Sequence, residues 1–111
     1  MHPNIQSRYK KPFYDWDSMR LAAKIDANQK SVVTALRKAG VSVASLAPVG
    51  QGVPDLLCGL DGVNYLLEVK DGDKPKSAQK LTPDQVKWHE AWQGQVCVVD
   101  GPEAALKALG L

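Results

Sequence analysis

"VPDLLCGLDGVNYLLEVKDG", residues 53–72, sets three charged side chains among some of the most apolar residues of the chain. Asp55 opens one hydrophobic run, and Glu68 and Lys70 close the next. Between the runs, Asp61-Gly62 is a strong signal for a two-residue hairpin turn. Six residues separate Asp55 from Asp61 and six separate Gly62 from Glu68, so the turn pairs position 55 near position 68. Side chains two apart on a strand share a face, which puts Glu68 and Lys70 on one side. The hairpin therefore predicts that all three charges converge. Charges inside buried strands are rare unless they are paired or functional.

The flanking segments extend this hairpin into a domain. Upstream, Asp26-Ala-Asn-Gln29 fits a helix start, with Asp26 as N-cap and Gln29 reaching back from the third position. Gln29, Val32, Val33 and Leu36 then fall at i, i+3, i+4 and i+7, one face of a helix ending at Gly40. A short strand over 41–47 follows, then a loop rich in Gly and Pro. Downstream of the hairpin, 71–80 reads as a polar loop bearing lysines. Thr82-Pro83-Asp84-Gln85 is a second helix start, with Thr82 as N-cap, Pro83 at the first position and Gln85 completing a capping box. That helix is expected to reach about Trp92 and to stop near Gly94, before a strand over 95–99 and a short helix over 102–109. The order αβββαβα predicts an α/β fold, a central mixed four-stranded sheet flanked by helices, forming a single domain over 25–111.

Residues 1–24 show no clear period and contain Pro3 and Pro12, which suggests an extended arm, or one partly helical near 17–24. Charge is divided unevenly along the chain despite a net of +2. Eight basic residues face three acidic ones over 1–38, whereas six face nine over 39–111. Arg8, Lys10, Lys11 and Arg20, interleaved with Tyr9, Phe13, Tyr14 and Trp16, suit an arm that follows a phosphate backbone. A solvated tail fits the same composition. At 44% hydrophobic and 23% charged, the chain has an ordinary globular composition, and no stretch has the roughly 18 apolar residues of a membrane span. The start lacks the apolar core of a secretory signal, so a cytoplasmic location is expected. Cys58 and Cys97, each in an apolar run with no CxxC pattern, read as small core residues rather than metal ligands.

Two carboxylates brought close together repel unless a cation holds them. Mg²⁺ is the natural candidate, a hard ion that binds through one or two carboxylates and leaves room for a phosphate oxygen. Lys70 could hold water or phosphate as a point charge. An ion pair at a strand end, with Asp55 capping a turn, is the plainer reading of the same three residues. The ordered package tips the balance: Pro54-Asp55 after a Gly-rich loop, a hairpin, an apolar strand ending in Glu68-Val69-Lys70, and then a helix.

With those residues in that order, the chain resembles the PD-(D/E)XK nuclease superfamily over about 26–100. It is most similar to small VRR-NUC-type and Holliday-junction-resolvase-like nucleases, some of them phage or prophage proteins. The resemblance implies a restriction-endonuclease-like core, hydrolysis of DNA phosphodiesters, and branched or double-stranded DNA as partner. It also implies Mg²⁺, with Mn²⁺ able to substitute, bound by Asp55, Glu68 and the Val69 carbonyl. Lys70 would orient the attacking water, and Gln85, followed by an aromatic at Trp88, would position Lys70 or phosphate. Gly50 and Gly52 would let backbone approach the substrate. A phage origin would place the protein in a bacterial host cell, and symmetric cutting of two strands would require a homodimer or a partner.

Several residues carry two readings. Many relatives have a Glu on the first helix where this chain has Gln29, an amide without charge that also completes the Asp26 cap. Asp26 could supply the missing acid, although capping explains it. Gln51, Lys74, Lys76 and Lys80 lie in loops suited to phosphate contacts, or simply in solvent. Trp88 and Trp92 read as core or interface residues, and His89 as a solvated helix residue. A catalytically weakened nucleic-acid-binding module of the same fold is the alternative function, favoured by Gln29.

Overall fold

The computed structural model describes residues 27–111. The N-terminal arm and the Asp26 cap therefore lie outside the described residues. The first helix, α1, spans Ala27–Lys38 and buries Gln29, Val32 and Leu36 along the predicted face. It gives way at Gly40, whose φ of 89° favours glycine.

Strand β1 (Ser42–Ser45) is shorter than the 41–47 expected. It ends where a 3-10 turn, Ala47–Val49, begins around Pro48, which has no N–H to give a ladder. β2 (Leu56–Leu60) and β3 (Val63–Val69) form the hairpin, joined by Asp61 and Gly62 with φ of 52° and 80°. Two positive φ angles in a row make the turn that an Asp-Gly pair supports. The polar loop after β3 contains a 3-10 turn, Lys76–Gln79. Helix α2 (Pro83–Ala91) begins with both halves of the capping box in place. β4 (Cys97–Val99) and α3 (Pro102–Ala108) complete the chain.

The sheet order is β1-β2-β3-β4, antiparallel across the first two pairs and parallel across the third. A mixed four-stranded sheet flanked by helices is the predicted architecture. Helices α1 and α3 pack against each other and on one face of the sheet. Val32, Leu36, Ala105 and Leu109 meet Leu56, Cys58, Leu67, Val69 and Val99 there to form the core. Period-two alternation sends Leu57, Leu66, Glu68 and Val98 to the opposite face. That face carries α2, which contributes no buried residue, unlike the other two helices. None of the described helices is long and apolar enough to cross a membrane.

β4 is shorter than the 95–99 segment because Gln95 uses its side chain instead. Its amide accepts from Leu66 N at 2.6 Å and donates to Leu66 O at 3.3 Å, satisfying the ladder groups of β3 just ahead of the parallel pairing. Cys58 is buried and Cys97 half-buried, both as free thiols.

Candidate active site

Hairpin register brings the charged trio together. Leu56 pairs with Leu67, so the next step of the ladder sets Asp55 opposite Glu68. Asp55 Oδ2 accepts the Val69 N–H at 2.8 Å, which stitches the residue before β2 to the end of β3. Pro54, fully buried, fixes the backbone just ahead of it.

Glu68 is 1% exposed, and its Oε1 has no hydrogen-bond partner. Burial pushes its carboxyl up to about 8; a hydrogen bond with Asp55 and the Asp55 charge push the same way, and Lys70 only partly offsets them. An orphaned, desolvated carboxylate oxygen beside a second carboxylate is an acceptor site awaiting a cation or a proton.

Gln85 ties the remaining pieces together from the first turn of α2. Its Oε1 accepts from Lys70 Nζ at 2.8 Å and from the Thr82 backbone N–H at 2.9 Å. Its Nε2 donates to Glu68 Oε2 at 3.2 Å. One amide therefore caps its helix and links the ammonium to the buried carboxylate. Its two ends suit the two charges, oxygen toward Lys70 and nitrogen toward Glu68.

The Lys70 backbone is held as firmly as its side chain. Its N–H donates to Val99 O at 2.8 Å, and its carbonyl accepts from Asn28 Nδ2 at 2.7 Å. Asn28 also donates to Asp100 O at 3.2 Å, so the start of α1 fastens the ends of β3 and β4. Sequence reasoning missed Asn28. Its partners lie 42 and 72 residues away, and only the distant pairing of β3 with β4 creates the site it fills.

Gly52 makes a close backbone approach to α2. A Cβ there would sit 2.3 Å from Asp84 O and 2.9 Å from Gln85 N, at a φ of 83°. Gly52 thus lets the loop before β2 press on the turn that carries Gln85. Gly50, by contrast, has open space around it.

Among the predicted accessory residues, Gln29 is buried on the core-facing side of α1. Gln51 is exposed, with a φ of 59° in the loop before β2. Lys74, Lys76 and Lys80 are exposed on the loop after β3. Gln79 Nε2 braces that loop through Lys74 O at 2.6 Å and Gly72 O at 3.4 Å. Asp26, Arg8, Lys10, Lys11 and Arg20 lie outside the described residues. Among the described residues, no group of three or more His, Cys, Asp or Glu comes together as a metal cluster.

Two readings on α2 are sharpened. Of the core and interface readings of Trp88 and Trp92, the core one fails: they stack at 4.7 Å between centroids with 19° between planes, and Trp92 is 45% exposed. His89 is not freely solvated either, because its Nε2 is buried without a partner and its ring meets the edge of Trp88. The cause is the same for both. The helix faces the sheet but buries nothing of its own, so its inward residues stay half-covered.

This sheet, helix order and end-of-strand cluster define a restriction-endonuclease-like α/β domain. A solved structure titled "VRR_NUC domain" matches the chain with a TM-score of 0.57 and 31% sequence identity, covering 74% of this chain and 89% of that one. The chain belongs to the VRR_NUC family. No family model matches it, and none of the curated proteins does.

Proposed function

We propose that this chain is a Mg²⁺-dependent nuclease that hydrolyses phosphodiester bonds of DNA at the Asp55–Glu68–Lys70–Gln85 cluster. The observation that carries the reading is the buried, unpartnered Glu68 Oε1 facing a second carboxylate, with a lysine held one amide away. Asp55, Glu68 and the Val69 carbonyl form an all-oxygen donor set, which is the chemistry a hard divalent cation takes. When bound, such an ion neutralises phosphate charge and supports the leaving oxygen.

The chain's own groups do the rest. Lys70 presents a fixed positive charge beside the carboxylates, where it orients the attacking water and attracts the phosphate. Gln85 sets the direction of that ammonium and holds Glu68 in place. Asp55, anchored by Val69 N–H, keeps its remaining lone pairs for the metal side of the site. The exposed Lys74, Lys76 and Lys80 lie one loop beyond the catalytic strand, where backbone phosphates of a bound duplex would pass.

The acid count favours a second reading, since Gln29 stands where many relatives have Glu and, among the described residues, only two carboxylates meet here. On that reading the chain grips nucleic acid without cutting it. Supercoiled plasmid, flap and four-way-junction DNA, each incubated with Mg²⁺ or Mn²⁺, separate the two. Cleavage by the wild type that Lys70→Ala abolishes supports the nuclease, and persistent cleavage by Lys70→Ala refutes the assignment. Salt-sensitive binding without cleavage by either protein identifies the binding module.

A further inference from the structure

The face of the sheet opposite the core is apolar and uncovered beyond the reach of α2. Ala44, Leu57 and Leu66 align across β1, β2 and β3 as one row. The adjoining row sets Val98 beside Glu68. Leu57 is 36% exposed and Val98 46%. Trp88 and Trp92 follow Gln85 by three and seven positions, so they share its side of α2, and Trp92 Nε1 donates to the carbonyl of Gln95, whose side chain bonds to Leu66. These rows hold no cation to take a phosphate, so the occupant that fits is itself apolar.

The chain supplies one. Of its seven aromatic residues, four lie within 1–26, and Phe13, Trp16, Met19, Leu21 and Ile25 fall within 13–25. That segment joins the fold at a suitable place. Asn28, three residues after Ile25, bonds to the carbonyls of Lys70 and Asp100, so α1 begins at the end of the sheet just beyond Glu68 and Val98, on the core side, and the open face is reached by passing round that end. From Lys70 back to Leu66 is roughly 13 Å along β3, whereas 13–25 can span up to about 45 Å when extended. Tethering raises the local concentration of such a segment to the order of millimolar, ahead of a second copy at ordinary concentrations.

We propose that residues 13–25 of this chain lie across the open face of the sheet, against Leu57, Leu66, Val98 and the exposed Trp92. The contact is a property of the folded chain alone and stands or falls apart from any nuclease activity.

The test is limited trypsin digestion of the full-length protein without nucleic acid or metal, read by mass spectrometry. Each cleavage rate is divided by that of the same site in a synthetic 1–26 peptide. Arg20 and Lys24 should be cut at least about tenfold more slowly in the protein than in the peptide, while Arg8 and Lys10 are cut at similar rates in both. Leu57→Asp and Val98→Asp should each bring Arg20 and Lys24 back within about twofold of the peptide rate. Trp16→Asp should do the same with the domain untouched, which keeps the test decisive if a sheet variant folds poorly. Peptide-like cleavage of the wild type overturns the proposal, as does protection that survives all three substitutions. Protection that fades on dilution, with a dimer seen by light scattering, assigns the face to a second copy and also overturns it.

Discussion

Glu68 should make the metal-free protein lose stability as pH rises. Its carboxyl is raised from 4.5 to about 8 in the fold, chiefly by burial. Between those values the folded state holds a proton that the unfolded chain releases, so stability falls with rising pH. The contribution is fully present below about 4.5, is lost as pH rises toward 8, and changes no further above it. At about 1.36 kcal/mol per unit, the interval from pH 5 to pH 7 removes roughly 2 to 3 kcal/mol. For a domain of this size, that corresponds to a fall in Tm on the order of 10 °C. Thermal melts in EDTA from pH 5 to pH 8 measure it directly. Glu68→Gln keeps the shape and removes the titration, so its Tm should be nearly flat over that range and above the wild type at pH 8. Added Mg²⁺ should restore more stability to the wild type at pH 8 than at pH 6, because the cation competes with the proton for the same oxygens. A Glu68→Gln protein that loses as much stability as the wild type between pH 5 and pH 7, or melts lower at pH 8 in EDTA, refutes the reasoning.

Gln85→Ala removes a helix cap and the Lys70–Glu68 link together. It should cost about 1 kcal/mol in denaturant melts but roughly 10- to 100-fold in cleavage rate, the larger loss marking the site role. Gly52→Ala places a Cβ 2.3 Å from Asp84 O at a positive φ. It should destabilise by about 1 to 3 kcal/mol in the same melts and depress cleavage by shifting Gln85, whereas Gly50→Ala, strained by its own φ of 68° but meeting no neighbour, should cost stability on the same scale and leave cleavage close to wild type at temperatures where it is folded. Replacing Lys74, Lys76 and Lys80 together by Ala should lower the slope of log affinity against log salt for duplex DNA by about 2 to 3, measured by anisotropy titration.

The parts of this fold that were legible in sequence are those governed by local chemistry. Asp61-Gly62 specified the turn, and the turn specified the register that sets Asp55 against Glu68. Thr82, Pro83 and Gln85 announced the start of α2 within a few residues. The second job of Gln85, reaching Lys70 and Glu68, became visible only through the family resemblance, because capping alone accounts for the residue. What stayed illegible depends on distant segments meeting. The Asn28 clamp exists only once β3 and β4 lie parallel, and Gln95 replaces a strand residue only because Leu66 lies beside it. The half-covered state of Trp88, Trp92 and His89 could not be read from spacing either. Aromatics four apart predict a shared face, but not whether anything packs on it.

The amide of Gln85 narrows what mutation can explore at this site. Its oxygen serves Lys70 and the helix start, while its nitrogen serves a carboxylate with no room for another negative charge. Glutamate would keep the cap but set a like charge against Glu68; methionine would keep the length but neither bond; serine or asparagine would be too short to reach. The beginning of α2 and the orientation of Lys70 therefore cannot drift independently, since one codon answers for both. A lineage that altered Gln85 would have to rebuild the start of a helix and the setting of Lys70 in the same step.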